Sequence, residues 1–350
     1  MRHASGSAAL RRGRRAGAAL LAAVVLAAPG CGGDRNLPSV GSYSDVLLIS
    51  ETGKSSPQVR EFVQGLAHPI HYVFEDENEF NVFHLDAEGI EGNTDARNIV
   101  FLVRIDEPGS LRNRVTRELG RDYLARTREE GHLLLYKQDF YARDQDVYYL
   151  LMANRAEQEY VLARLAPTLR QRLRDSTRER YRHYLLRDRE NKGGGKYLWQ
   201  NYSFTLRFPA DYHLLQERRD LRAIELHRTD PSRGIAVFWR NEVTEAPSLA
   251  DSSALLAWRA EVVDTLYHGD TMLEGESVFA KTVLGEHDAL RVQGVWQNER
   301  DMTGGVFITY FVHDTRLQRL LAVDLIVYAP GLAKHPYVRE LEALASTFRF

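Results

Sequence analysis

The stretch ALRVQGVWQNERDMTGGVFITYFVHDTRLQRLLAVDLIVY, residues 289–328, decides the fold of the second half of the chain. Its long apolar runs are separated by short polar segments containing glycine, asparagine or aspartate, which is typical of consecutive antiparallel strands. Helices are predicted on either side of this region, and the second closes the chain. We therefore predict a curved antiparallel sheet with two packed helices over residues 197–350. The strands expected in this sheet are 202–208, 222–227, 234–239, 278–284, 289–297, 305–313 and 319–328.

The first part of this domain is predicted from local signals. The run 202–208 alternates apolar and polar residues and ends at Pro209, which favours a strand with one buried face. Ser248 and Asp251 form a capping box ahead of the first helix. Three consecutive glycines in 191–196 favour no packed element, so we expect a loop there and place the domain boundary in it.

Strands and helices alternate in residues 45–190, which predicts a first α+β domain. Asn154 and Glu157 form a capping pair before a long helix, in which Pro167 predicts a kink. The fold class is therefore α+β, with two mixed α/β sandwich domains. Strands are expected at 45–50, 80–85, 99–105, 132–136 and 147–152, and helices from about 57, at 111–127 and from 155 onward.

The start of the chain has the layout of an export signal. Residues 1–15 carry five arginines and no acid, and residues 16–29 carry no charge. This uncharged run has 14 residues, fewer than the roughly 20 that a helix needs to cross a bilayer. Cys31 follows it and is the single cysteine of 350 residues, which excludes an intramolecular disulfide and any cysteine-based metal site.

The segment around Cys31 resembles the lipobox of bacterial lipoproteins, whose cysteine becomes lipid-modified and then forms the new N-terminus. The resemblance implies a signal peptide over 1–30, acylation of Cys31 and a tether over 31–44. It also implies the bacterial cell envelope, with the protein anchored by lipid to a membrane, in our prediction the outer membrane, facing the periplasm or the surface. An ordinary secretory signal with a leftover thiol is the alternative. The mature chain would carry 41 basic and 48 acidic residues, a net charge of −7, which argues against nucleic acid as a partner.

Four phrases carry a resemblance to a known family. They are residues 98–103, 202–212 (YSFTLRFPADY), 294–307 (GVWQNERDMTGGVF) and 328–341. In these phrases nearly the whole mature chain is similar to the Bacteroidota lipoproteins grouped as domain-of-unknown-function family 4837. The second half is also faintly similar to the Mog1/PsbP sandwich fold. These resemblances imply a cellular location and a fold, and they imply no chemical activity.

Possible chemical motifs are few, and we predict no catalytic residue, metal site or cofactor. Gly53-Lys54-Ser55 lacks the first glycine of a phosphate-binding loop, and a polar turn explains it. His68, His71 and His84, with Glu75, Asp76, Glu77 and Glu79 between them, are the densest set of possible metal ligands. Pro69 argues against a shared helical face, and a surface turn that precedes a strand explains the segment. His313-Asp314 and Gly304-Gly305 are explained by turns or a bulge of the sheet.

Residues 164–189 carry nine arginines against three acids within an acidic protein. Such a run is usually a solvated helix face with ion pairs between residues four apart. The alternative is contact with anionic lipid headgroups, and the possible lipid-facing residues are then Arg170, Arg174 and Arg178.

The sequence therefore predicts a non-enzymatic binding or assembly module of the cell envelope, anchored to a membrane through Cys31, with an unknown envelope protein or ligand as partner. One alternative is an envelope hydrolase with its site in the cleft between the two halves, where pockets tend to form. The other is a carrier of small apolar ligands. Buried titratable groups within hydrogen-bonding reach of one another in that cleft would favour an enzyme, and a shallow or apolar cleft would favour a binding role.

Overall fold

Residues 289–328 lie at the centre of a large antiparallel sheet, as the sequence predicts. The computed structural model describes residues 37–51, 56–72 and 75–350. The strands are β1 (Asp45–Ser50), β2 (Pro69–Tyr72), β3 (Glu75–Asn78), β4 (Asn81–Asp86), β5 (Asn98–Arg104), β6 (His132–Gln138), β7 (Asp146–Met152), β8 (His213–Arg218), β9 (Ala223–Arg228), β10 (Ser232–Asn241), β11 (Thr271–Met272), β12 (Val278–Leu284), β13 (His287–Asn298), β14 (Thr303–Asp314) and β15 (Arg319–Tyr328). The helices are α1 (Pro57–Ala67), α2 (Ser110–Leu119), α3 (Arg121–Glu130), α4 (Arg155–Arg164), α5 (Ala166–Leu186), α6 (Lys192–Tyr202), α7 (Ser252–Leu266) and α8 (His335–Ala345).

The large sheet has the order β11-β13-β14-β15-β10-β9-β8, and β12 also pairs with β13. Its central strands are apolar along most of their length because both faces are covered. Helix α8 and residues 204–212 pack on one face, and α7 packs on the other. The α+β class, with a large antiparallel sheet and two packed helices, is confirmed.

The smaller sheet has the order β4-β1-β5-β7-β6 and is parallel except for β6. Helices α1, α4 and α5 cover one face, and α2 and α3 cover the other. This burial on both sides explains why β5, with the sequence NIVFLVR, is an almost continuous apolar run. The mixed α/β sandwich predicted for this half is observed.

A short hairpin, β2–β3, joins the two halves. Glu77 caps the start of α8, since its carboxylate oxygens accept hydrogen bonds from the backbone nitrogens of Lys334 at 2.7 Å and His335 at 2.8 Å. Tyr72 is buried in the core of the large sheet, together with Leu185 and Leu186 from the end of α5. The sequence analysis interpreted this hairpin as a surface turn, which is wrong because its contacts come from residues far along the chain.

The loop predicted at 191–196 is helical, because α6 begins at Lys192. The Asn191 side chain caps this helix by accepting a hydrogen bond from the nitrogen of Gly194 at 2.8 Å. A Cβ at Gly194 would lie 2.4 Å from a ring carbon of Phe208, so the glycine lets this ring pack directly on the helix. The prediction of a loop at 191–196 is therefore wrong. The domain boundary that was placed there stays a prediction.

Three further expectations differ in detail. Residues 203–208 form no named strand, although Phe204, Leu206 and Phe208 are buried as the alternation predicts; Thr205 pairs with the terminal Arg349. The helix expected at 111–127 is split at Gly120, whose φ of 97° ends one helix before the next begins. Pro167 lies in the first turn of a separate helix, so the expected kink is a break.

Both predicted helix caps are present. The nitrogen of Glu157 donates to the Asn154 side chain at 3.1 Å. Ser248 and Asp251 form the reciprocal capping box, which opens a short 3-10 turn before α7. Local capping is correctly predicted because it depends on residues only three positions apart.

Candidate functional site

A cleft of about 460 Å³ lies where the two halves meet. Its walls are β2 and α5 from the first half, and α8 with strands β12 to β14 from the second. The lining includes several arginines, two glutamates, two histidines and two buried tyrosines. The predicted observation that would favour chemistry, titratable groups within hydrogen-bonding reach of one another, is therefore present here.

Glu79 lies at the base of the cleft, and its side chain is 3% exposed. Arg174 on α5 donates to both carboxylate oxygens, from Nε at 2.5 Å and from Nη2 at 2.7 Å. Arg170 Nε lies 3.6 Å from the same carboxylate, and Arg339 Nη2 lies 3.9 Å from it. Three guanidinium groups thus surround one carboxylate, which leaves positive charge in excess in a buried place.

A chain of hydrogen bonds runs from Arg339 through His335 to Tyr72. Arg339 Nε donates to His335 Nε2 at 2.7 Å, and His335 Nδ1 lies 2.9 Å from Tyr72 Oη. A guanidinium group has no acceptor, so Nε2 must accept and the proton of the neutral ring must be on Nδ1. Tyr72 Oη is then the acceptor for Nδ1. The hydroxyl proton of Tyr72 has no acceptor among the described residues.

The electrostatics of this chain follow from burial. Burial, reinforced by the charge of Arg339, lowers the pKa of His335 to about 3, so the ring is neutral. Burial also lowers the pKa of Arg339 to about 10, and the negative charge of Glu79 opposes this shift. The guanidinium group nevertheless stays charged at neutral pH.

Two buried polar atoms of the cleft lining have no hydrogen-bond partner among the described residues. They are Nη1 of Arg339 and Oγ1 of Thr177. The side chain of Arg339 is 10% exposed, and Thr177 is 1% exposed. Buried groups of this kind are rare in native proteins, and each requires an explanation such as a ligand.

The opposite wall carries a balanced ion pair. Glu342 Oε1 accepts from Arg291 Nε at 3.1 Å, from Arg291 Nη2 at 3.0 Å and from Tyr310 Oη at 2.9 Å. Burial is the main cause that raises the pKa of Tyr310, which keeps its hydroxyl protonated. This wall therefore contributes no net charge.

A second, more open groove of about 870 Å³ adjoins the cleft, and Tyr181 and Arg339 line both. Tyr43, Tyr181 and Tyr184 form a cluster in it, with ring centroids 4.8 to 6.3 Å apart. The chain enters the described body here, because residues 38–44 contribute to the lining. The groove thus lies beside the predicted tether.

The three arginines predicted to be lipid-facing do not share one environment. Arg170 donates to the carbonyl of Gly65 at 2.7 Å and lies near Glu79, and Arg174 is bound to Glu79. Arg178 is half-exposed and pairs with Asp175 at 3.0 Å. Residues four apart lie on the same side of α5, so the three arginines share this side. They differ because each reaches a different partner.

The other predicted motifs have structural partners. His84 Nε2 lies 2.7 Å from Ser50 Oγ on the neighbouring strand, and His68 lines the cleft. His313 Nε2 contacts the carbonyl of Val243 at 2.8 Å. Asp314 accepts from Arg319 Nε at 2.9 Å and from two backbone nitrogens of its turn.

Other predicted features have a packing role or fall outside the description. Gly304 and Gly305 lie in β14, where a Cβ at Gly305 would be 2.0 Å from the carbonyl oxygen of Val327. The described residues contain no group of three or more His, Cys, Asp or Glu that could hold a metal ion. Cys31 and Gly53-Lys54-Ser55 lie outside the described residues.

The sequence analysis missed four residues that build the cleft, namely Tyr72, Thr177, His335 and Arg339, and it considered Glu79 only as a possible metal ligand. One local signal was available, because His335 and Arg339 are four apart on a helix and can contact each other. No local signal links either to Glu79, which is 260 positions from Arg339.

Comparison with known proteins bears on the second half. Residues 193–347 match the model of a family described as "Domain of unknown function (DUF4837)". This match covers most of the large sheet, α7, α8 and three of the four phrases noted above. The phrase at 98–103 lies outside it. No curated protein is significantly similar to the chain.

Several solved structures resemble parts of the chain weakly. The Ran-binding protein Mog1p of Saccharomyces cerevisiae is 15% identical, with a TM-score of 0.27, over 46% of this chain and 92% of its own. LpqN of Mycobacterium tuberculosis, described as involved in cell envelope biogenesis, is 14% identical, with a TM-score of 0.27, over 41% and 81%. A protein of Bacteroides thetaiotaomicron is 12% identical, with a TM-score of 0.27, over 42% of this chain and only 44% of its own length.

Proposed function

We propose that this protein is a lipid-anchored binding or assembly module of the bacterial cell envelope, and that its ligand binds in the cleft between the two halves. The observation that carries the binding role is the presence, in one cleft, of two buried polar atoms that have no partner among the described residues, Arg339 Nη1 and Thr177 Oγ1. The anchor is supported by the arginine-rich start, the uncharged run and Cys31. In the described residues no helix is long and apolar enough to cross a membrane.

The lining of the cleft favours this role over the two alternatives. A carrier of apolar ligands would need an apolar cavity, whereas this cleft is lined by Arg174, Arg178, Arg291 and Arg339. A hydrolase would need a base that can accept a proton from a nucleophile. His335 accepts from Arg339 instead, and the Ser346 hydroxyl donates to the carbonyl of Ala343 at 2.7 Å.

The lipid anchor is tested by Cys31→Ser. We expect the wild-type protein to incorporate labelled palmitate and to enter the detergent phase on phase separation, because several acyl chains hold a protein firmly in a membrane. The Cys31→Ser protein should lose the label and move to the aqueous phase. Asp34→Asn keeps the cysteine and should behave as the wild type. Label retained by Cys31→Ser would contradict the anchor.

The position of the tether favours one face for membrane contact. Five residues separate Cys31 from Leu37, where the described chain begins, and the distance between these two residues is at most roughly 20 Å. Acyl chains on Cys31 would therefore hold the second groove, which contains Tyr43, Tyr181 and Tyr184, close to the membrane. Arg187 lines this groove, and its side chain is 67% exposed.

The lipid-contact prediction is now tested best with single arginines. In the Cys31→Ser background, Arg178→Glu should weaken binding to vesicles that contain anionic phosphatidylglycerol by at least about fivefold, since each basic residue near such a surface contributes about 1 kcal/mol. Arg155→Glu on α4, 78% exposed, is the matched control and should change little. If Arg187→Glu weakened vesicle binding and Arg178→Glu did not, the lipid contact would be assigned to the groove. The prediction that Arg178 faces lipid would then be wrong.

A further inference from the structure

The charges at the base of the cleft do not balance. Arg170, Arg174 and Arg339 surround the single carboxylate of Glu79, while Arg291 on the opposite wall is matched by Glu342. Among the described residues, one carboxylate thus lies within ion-pair distance of three guanidinium groups, and two of these, Arg170 and Arg339, are only 18% and 10% exposed. Such an excess is unfavourable unless a further negative group compensates it.

The unused hydrogen-bonding groups have one chemical character in common. Arg339 Nη1 can only donate, and the hydroxyl of Tyr72, whose oxygen accepts from His335, keeps its own proton for donation. The Thr177 hydroxyl can donate as well. Both Glu79 and Glu342 already accept several hydrogen bonds. A ligand that fits these groups must therefore supply acceptors.

We infer that the cleft binds the oxyanion group of a small molecule, a phosphate, sulfate or carboxylate, through Arg339, Thr177 and Tyr72. This inference rests on the proposed binding role and gives it a ligand class. Guanidinium groups suit such anions because their hydrogen bonds to them are charge-assisted and directional. A volume of about 460 Å³ exceeds what a bare phosphate needs, so the cleft has room for an organic part of the ligand.

The neutral His335 has a positioning role in this arrangement. By accepting from Arg339 Nε and donating to Tyr72 Oη, it orients two of the three ligand donors at once. The backbone oxygen of Glu79 accepts from Arg339 Nη2 at 2.9 Å, which leaves Nη1 as the remaining side of the guanidinium group. The donors are thus held in place before a ligand arrives, which lowers the entropic cost of binding.

The test is calorimetric titration of the full-length protein in an uncharged detergent with sodium phosphate, sodium sulfate and sodium acetate. Sodium chloride at matched ionic strength controls for screening. We expect saturable binding of at least one oxyanion and none of chloride. Arg339→Gln should weaken this binding at least tenfold, and Thr177→Val should weaken it severalfold. Arg155→Gln, an exposed arginine of α4, should bind as the wild type.

Thr177→Val keeps the inference testable if Arg339→Gln does not fold. Valine has the shape of threonine, and the hydroxyl that it removes has no partner among the described residues, so the variant should be at least as stable as the wild type. Absence of binding of all three anions, or binding that neither variant changes, would overturn the inference. A wild-type protein that takes up no palmitate, or label retained by Cys31→Ser, would instead overturn the anchor, so the two failures are distinguishable.

A lipid phosphate and a soluble phosphate share this chemistry, and a second arm separates them. Wild-type and Thr177→Val proteins, both with Cys31→Ser, are sedimented with phosphatidylcholine vesicles that do or do not contain phosphatidic acid. Weaker sedimentation of Thr177→Val only with phosphatidic acid would assign the group to a lipid headgroup. Equal sedimentation of the two proteins, together with phosphate binding in the calorimeter, would assign it to a soluble ligand.

Discussion

Glu79→Gln is expected to lower the free energy of unfolding by about 3–5 kcal/mol. The change keeps the size of the side chain but removes the buried carboxylate that lies within 4 Å of Arg170, Arg174 and Arg339. Breaking a buried ion pair leaves its partners as uncompensated charges, which is more harmful than losing a hydrogen bond between neutral groups. The measurement is urea unfolding at neutral pH, followed by circular dichroism.

A matched control separates burial from charge number. Glu130→Gln removes a carboxylate from the exposed pair of Arg126 and Glu130, whose side chains are 44% and 49% exposed. This change should alter the free energy of unfolding by no more than about 0.5 kcal/mol. If Glu79→Gln also lowered the free energy of unfolding by less than about 1 kcal/mol, the three arginines would have to be hydrated in the folded protein. The inference of excess buried positive charge would then be wrong.

The second large effect concerns acid stability and His335. Its pKa is lowered from 6.5 to about 3 in the folded protein, mainly by burial, then by Arg339 and Arg174, against a hydrogen bond involving the Glu79 backbone. Below pH 6.5 the unfolded chain binds a proton at this residue, whereas the folded protein does not until about pH 3. The free energy of unfolding must therefore fall as the pH falls through this window. Between pH 7 and pH 5 the contribution is about 2 kcal/mol.

The variant His335→Gln isolates this contribution. Glutamine can accept from Arg339 and donate to Tyr72 but does not titrate, so the variant loses the acid sensitivity due to this residue. The stability difference between wild type and variant should shift by about 2 kcal/mol in favour of the variant on going from pH 7 to pH 5. His213→Gln, the same substitution at an exposed histidine of β8, is the matched control. Parallel profiles for His335→Gln would show that His335 is protonated in the folded protein.

Patterns over short distances predicted the strands and caps well. The alternation and the apolar runs of 278–328 predict β12 to β15 because a strand that packs on a core must present apolar side chains at fixed spacing. The capping pairs at Asn154 and Ser248 are correct for the same reason, since a cap is made within one helical turn. These features need no knowledge of the rest of the chain.

Two segments were predicted wrongly because a distant contact outweighs local preference. Three glycines favour a loop at 191–196, but α6 forms there, and Gly194 lets the ring of Phe208 pack directly against the helix. The β2–β3 hairpin carries three acids and looks like a solvated turn in the sequence. It is ordered by α8, whose first backbone nitrogens Glu77 caps from 258 positions away.

The sequence by itself determined the α+β class, most strands of the large sheet and the helix caps, because these depend on residues that are neighbours along the chain. It also carries the export-like leader and Cys31, on which the predicted address depends. Only the tertiary structure brings Glu79, Thr177, His335 and Arg339 into one cleft. The physical reason is that the properties of a buried charge or an unpaired donor depend on desolvation and on partners far along the chain. No local sequence pattern encodes either of these.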